Sequence, residues 1–282
     1  MYKDGKWAKQ IIELQDNEGK WGIFHSMSQT TSTNNFATEQ ALRRLEQLGY
    51  TIEDGCIQKA VAYMNDCLIG KKSTPDYREK KHDWDIFMSL LLATWIRRFT
   101  PDNIAANKVA KQWTSIITTA FESGRYNYDD YKTAYYEILG MKPGDGSIIS
   151  LESFYPISIV SGCLDDKTEK VFVEHLLDVD CGIYYIYDRK LSVLPDIFES
   201  KVASRYLAAI EMLAKYKQSR KKLDFVVEWL NNNRNENGKW DMGKSVSDKM
   251  YFPLSDNWRK KETRELDCTE RITKLMSELL DR

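Results

Sequence analysis

Residues that could do acid–base or binding chemistry occur in this sequence as small groups, not as one compact motif. His25 follows a Gly-Lys-Trp turn by four residues. His82, Asp83 and Asp85 stand where a strongly apolar stretch begins, and Tyr184, Tyr185 and Tyr187 precede Asp188. Glu199 and Arg205 flank the start of another such stretch, and Trp258, Arg259 and Asp267 lie before and within the last. Positioned carboxyl groups serve as general acids and bases, which makes Asp83, Asp85 and Asp267 the candidate catalytic residues. His25, His82, Tyr184, Tyr187, Glu199, Arg205 and Trp258 are candidate ligand contacts, because their groups offer directed hydrogen bonds and flat rings. Asp83 or Asp85 paired with Glu199 or Asp267 across an aromatic cleft would suit glycoside cleavage. The histidines at 25, 82 and 175 lack His-x3-His spacing, and the five cysteines form no Cys-x2-Cys pair. No metal and no cofactor is therefore expected.

Each group also has a purely structural reading. Aspartate at a helix start caps it or complements its dipole, which covers Asp83 and Asp85. The string Asp165-Asp166-Lys167-Thr168-Glu169 precedes the apolar run Val171-Phe172-Val173. Asp166 and Glu169 there read as a capping-box-like pair.

The elements that must position these residues show an internal repeat. Several helical stretches end in Gly-x-aromatic, as in Gly19-Lys20-Trp21, Gly124-Arg125-Tyr126, Gly182-Ile183-Tyr184 and Gly238-Lys239-Trp240, with a degenerate copy at Gly70. The glycines fall at 19, 70, 124, 182 and 238, 51 to 58 residues apart. A unit of that size holds two helices of about 11–12 residues with their loops. Glycine ends a helix because it accepts a left-handed backbone, and the following aromatic can fold back over the helix end. Second helices lie between the markers at 38–48, 83–96, 151–160, 200–216 and 265–280. The second of these is apolar nearly all round, as a buried helix is. Irregular stretches at 71–81, 141–150, 188–197 and 241–261 follow most of the markers, and no segment alternates with the period of a strand.

Gln15-Asp16-Asn17-Glu18-Gly19-Lys20-Trp21 matches the Gln-x-x-x-Gly-x-Trp repeat of squalene and oxidosqualene cyclases, and Arg234 to Trp240 matches it except that Arg replaces Gln. The chain thus resembles the terpenoid-cyclase and protein-prenyltransferase toroids. The resemblance implies an all-α (α/α) toroid of five to six helix pairs in two concentric layers, formed by residues 1–282 as one domain. It also implies chemistry that can be sought residue by residue. The Asp-x-Asp-Asp acid of class II cyclases has Asp178-Val179-Asp180-Cys181 as its closest match and Asp83-Trp84-Asp85-Ile86 as the next. The Asp, Cys and His zinc ligands of prenyltransferases have Asp267-Cys268 and Asp180-Cys181 but no later histidine.

Composition narrows the partners. Lys plus Arg is 41 and Asp plus Glu is 42, giving a net charge of −1. Nothing here suits a phosphate backbone, so no nucleic acid is expected. Arg97-Arg98 and Ser219-Arg220-Lys221-Lys222 read as solvated helix ends. The apolar stretch 86–93 falls short of the ~20 residues of a membrane span. The first seven residues carry no apolar signal core, and the cysteine number is odd. A reduced, cytoplasmic protein is expected. With 12% aromatic residues, the reading is of a terpenoid-cyclase-like protein holding or transforming a hydrophobic, isoprenoid-like small molecule in a central cavity. A non-catalytic helical-repeat scaffold and a carbohydrate-active (α/α) barrel are the alternatives. Whether the chain is an enzyme, and its oligomeric state, stay open at this level.

Overall fold

The computed structural model describes residues 2–25, 36–142, 144 and 146–281, so that positions 143 and 145 of the expected irregular stretch 141–150 lie outside it. The described residues are all-helical, with no strand. The helices are α1 (Lys6–Glu13), α2 (Thr38–Gln47), α3 (Gly55–Leu68), α4 (Trp84–Phe99), α5 (Ile104–Ala120), α6 (Tyr128–Leu139), α7 (Phe154–Ile159), α8 (Asp166–Asp178), α9 (Lys201–Leu213), α10 (Asp224–Asn232) and α11 (Lys261–Leu280). Two 3-10 helices, Lys217–Leu223 and Lys244–Val246, complete the set.

The five period glycines explain the alternation. Each has a positive φ, from +62° to +102°, and each follows one of α1, α3, α5, α8 and α10. The two best motif copies share one hydrogen-bond pattern. The Trp21 indole donates to the Ile11 carbonyl at 2.6 Å, and the Trp240 indole to that of Leu230 at 2.7 Å. The Asp16 carboxylate accepts from the backbone of Glu18, Gly19 and Lys20; the Asn235 amide oxygen accepts from Asn237 and Lys239. The Trp21 N–H meets the Thr38 hydroxyl on α2, and the Trp240 N–H meets that of Thr269 on α11.

The intervening helices α2, α7 and α9 fall in the expected stretches, while α4 runs on to Phe99 and α11 begins earlier, at Lys261. In α4, Asp83 caps the N-terminus through the N–H groups of Asp85 and Ile86, and eleven of sixteen residues are buried. Helix α6 is the element that periodicity did not indicate. Its buried face consists of Tyr131, Ala134 and Tyr135, so tyrosines carry a stripe that aliphatic patterning cannot show. At α8 the cap is Asp165 rather than Asp166; it accepts from Lys167 and Thr168, and Glu169 instead receives the Gln218 N–H at 2.8 Å. The expected Asp166–Glu169 capping box is thereby corrected.

The two ends of the chain meet. The Tyr2 hydroxyl donates to Glu270 at 2.9 Å, the Lys6 N–H to Asp256 at 2.7 Å, and the Trp7 indole to the Ser255 carbonyl at 3.0 Å. Arg44 on α2 donates to the carbonyls of Met250 and Pro253. One contiguous apolar core runs from Ala8 to Leu279. Among the described residues, no helix is long and apolar enough to cross a membrane, and the five cysteines are unbridged.

Candidate functional site

Helices α2, α4, α7, α9 and α11 each contribute residues to the lining of one cavity of about 690 Å3. All of them do so chiefly from their C-terminal halves. Exposed side chains, Arg98, Lys215, Glu270 and Lys274, form its rim, and buried ones, Arg43, Phe154, Ile186, Tyr251 and Leu254, its floor. Arg97 and Arg98 both line it. Arg97 donates to the Ile159 carbonyl, and Arg98 pairs with Glu46 at 2.7 Å. Arg98 is the exposed helix-end residue expected, whereas Arg97 is half-buried and is held at the cavity by its contact with α7. In the other basic run Ser219 is fully buried within a 3-10 helix.

Beside the floor lies a buried polar cluster. Glu39, one turn before Arg43 on α2, accepts the Tyr155 hydroxyl at 2.6 Å and the Tyr185 hydroxyl at 2.7 Å. Glu39 is 1% exposed, so these charge-assisted bonds act with little screening. Burial holds the Tyr155 phenol well above its ordinary pKa, which keeps it a donor. Tyr185 has φ +83°, a region that bulky residues rarely enter. The turn around it is pinned on both sides: Ile183 and Tyr187 exchange backbone hydrogen bonds, and Tyr184 bonds to Glu152 and Phe154. That clamp sets the strained backbone that brings the phenol to Glu39.

His25 closes the cluster. Its ring stands edge-on to Phe87 at 5.0 Å and stacks on Tyr185 at 6.2 Å. The backbone N–H groups of Phe24 and His25 both donate to Asp76. Burial holds the Asp76 carboxyl above the ordinary range, and the two N–H donors only partly offset it.

Of the residues singled out from the sequence, His25 joins this cluster. His82 stacks on Phe87 at 5.8 Å and its ring Nδ1 meets the Ser147 carbonyl. Asp83 is the α4 cap, and Asp85 is exposed and paired with Arg78 at 3.1 Å. Tyr184 is exposed while its neighbour Tyr185 reaches inward; Tyr187 is buried against Tyr206. Glu199 and Arg205 are exposed. Trp258 and Asp267 meet each other: one Asp267 oxygen accepts the Trp258 indole at 2.7 Å, the Leu254 and Ser255 N–H groups and the Ser255 hydroxyl. Asp267 is fully buried and organises the loop before α11. Of the suggested carboxylates, Asp83 is engaged as a helix cap and Asp267 lies buried beneath the loop before α11.

Glu39, Arg43, Asp76 and Tyr155 were not among the candidates. The available signal was Glu39 and Arg43 one turn apart on the same helix as Ala41, Leu42 and Leu45. Among the described residues no group of three His, Cys, Asp or Glu side chains is arranged to hold a metal ion. No protein-family profile, curated protein or solved structure matches the chain.

Proposed function

We propose that the chain is an (α/α) toroid of the terpenoid-cyclase kind, and that the cavity between its inner helices binds a small molecule with an apolar body. The observation that carries this reading is a single cavity lined by five helices drawn from the whole length of the chain. Its volume, about 690 Å3, falls within the ~300–1,000 Å3 usual for ligand sites. Two further features support a ring. Helices that end at the period glycines alternate with helices that line the cavity, and the first helix is hydrogen-bonded to the loop before the last. Phe154, Ile157, Ile186, Met212, Leu254 and Leu275 offer the ligand an apolar surface. An apolar body in such a cavity is held by the water released from both surfaces.

Native mass spectrometry of the purified full chain, alone and with decanol, tests the reading. Ser158 is a half-buried lining residue on α7, and Ser158→Trp places an indole in the cavity. The expected result is a bound molecule or decanol adduct in the unmodified chain that is lost in a folded Ser158→Trp variant. An unmodified chain that binds neither an endogenous molecule nor decanol overturns the reading, as does binding that Ser158→Trp leaves intact.

A further inference from the structure

We infer that the ligand of this cavity carries an oxyanion, a carboxylate or phosphate-type group, received at the floor by Arg43. The inference rests on the cavity reading above and adds the ligand's charge. It begins with the lining's own ion pairs. The four carboxylates of the lining are all engaged: Glu46 by Arg98, Glu211 by Arg271, Glu278 by Lys215 and Glu270 by the Tyr2 hydroxyl. Arg43, Arg97 and Lys274 also line the cavity, and among the described residues none of the three has an ion pair. The lining is therefore net positive.

Arg43 is the buried member of that surplus, 6% exposed. Its guanidinium lies 4.6 Å from the Phe154 ring, 5.4 Å from that of Tyr185 and 5.7 Å from that of Trp95. Aromatic rings stabilise the face of a guanidinium but give its N–H edge no acceptor. One edge nitrogen, Nη1, has only the Met250 sulfur at 3.9 Å, and Nη2 is buried with no partner. Glu39, one turn away, acts on Arg43 only through its charge and gives Nη2 no hydrogen bond. Arg97 repeats the pattern, with its Nε buried and without a partner. A buried guanidinium N–H without an acceptor is unfavourable. A thioether is a weak acceptor that an oxyanion would displace, and the guanidinium fork suits a carboxylate or phosphate in particular. The apolar wall would then take the ligand's body and Arg43 its charged end.

Decanoate, decyl phosphate and decanol share one apolar chain and differ in the head, so titrating each against the full chain separates the two parts. Trp95 is close enough to Arg43 for its fluorescence to report binding at the floor. Both anions are expected to bind about tenfold or more tightly than decanol, the gain usual for a charge-assisted bond. In Arg43→Met that preference is lost while decanol binding is kept. A stronger response to decyl phosphate than to decanoate assigns the phosphate-type head, and the reverse assigns the carboxylate. Decanol bound as tightly as the anions by the unmodified chain overturns the inference while leaving the cavity reading intact, and this comparison needs no variant. An undiminished anion preference in a folded Arg43→Met variant also overturns it. Failure of all three probes to bind removes the cavity reading itself, and the inference with it.

Discussion

Glu39 shows how a single buried carboxylate can organise its surroundings. Two phenols from different parts of the chain, Tyr155 on α7 and Tyr185 in a strained turn, donate to its two oxygens. A hydrogen bond to a charged group contributes about 1.5–3 kcal/mol, against roughly 0.5–1.5 for a neutral one. Tyr131 supplies the neutral comparison, since its buried hydroxyl donates to the Ile149 carbonyl at 2.7 Å. Tyr155→Phe should therefore lower stability in urea unfolding by about 1.5–3 kcal/mol, and Tyr131→Phe by about half as much. Equal losses would mean that Glu39 is held uncharged. Little of this cluster was legible in the sequence. The contact between Glu39 and Tyr155 spans 116 residues, and one sequence carries no sign of which carboxylate a given tyrosine will meet. Tyr184 and Tyr187 stand out as candidate contacts in the sequence, but the backbone at Tyr185 turns that residue inward. Asp83 and Asp267 were visible because aspartate before an apolar helix, or within one, stands out. Standing out is equally what a cap or a loop anchor does.

The helix-ending turn was the most legible element, because its signal is local. Gly, the aromatic and the preceding Asp or Asn act within seven residues, and both good copies form the same bonds. Where the copies differ, the surroundings differ. Gln15 donates to its own turn at Gly19 and also to the Cys56 carbonyl of α3. Arg234, in its place, stacks on Trp240 at 4.6 Å. The first turn is thus seated on a neighbouring helix, and a substitution can measure the seat. A Cβ at Gly19, where φ is +102°, would come within 2.5 Å of the Lys59 carbonyl oxygen. A Cβ at Gly238, where φ is +71°, meets nothing within 4 Å. The left-handed backbone alone costs a non-glycine residue about 1–2 kcal/mol, and overpacking adds about 1–3. Chemical denaturation should give a loss of about 1–2 kcal/mol for Gly238→Ala and about 2–5 for Gly19→Ala. Similar losses for the two would show that the first turn is not pressed against α3. Helix α6 escaped the same sequence reading because its period is written in tyrosines rather than aliphatic residues.

At the scale of the molecule, a ring and an open solenoid differ in one respect: only in a ring does the last element support the first. Sequence period cannot separate them, since both repeat a helix pair, and the residues that hold α1, Ser255 and Asp256, lie in the irregular stretch 241–261, which has no periodic signal. Asp267 gathers four donors from residues 254–258. The same loop holds α1 through the Ser255 carbonyl on Trp7 and the Asp256 carboxylate on Lys6. Removing the buried carboxylate leaves those donors without an acceptor, and the loop should loosen. Support for α1 would then fall although it lies some 250 residues away in sequence. Hydrogen exchange reads such regional openings one segment at a time. In Asp267→Ala, amides of α1 should exchange about tenfold faster or more, a change of about 1.4 kcal/mol, while α5 and α6, packed on each other, keep their protection. A variant that loses protection only around α11, with α1 unchanged, would show that the contacts between the chain ends carry no stability and that the helices stack as an open array.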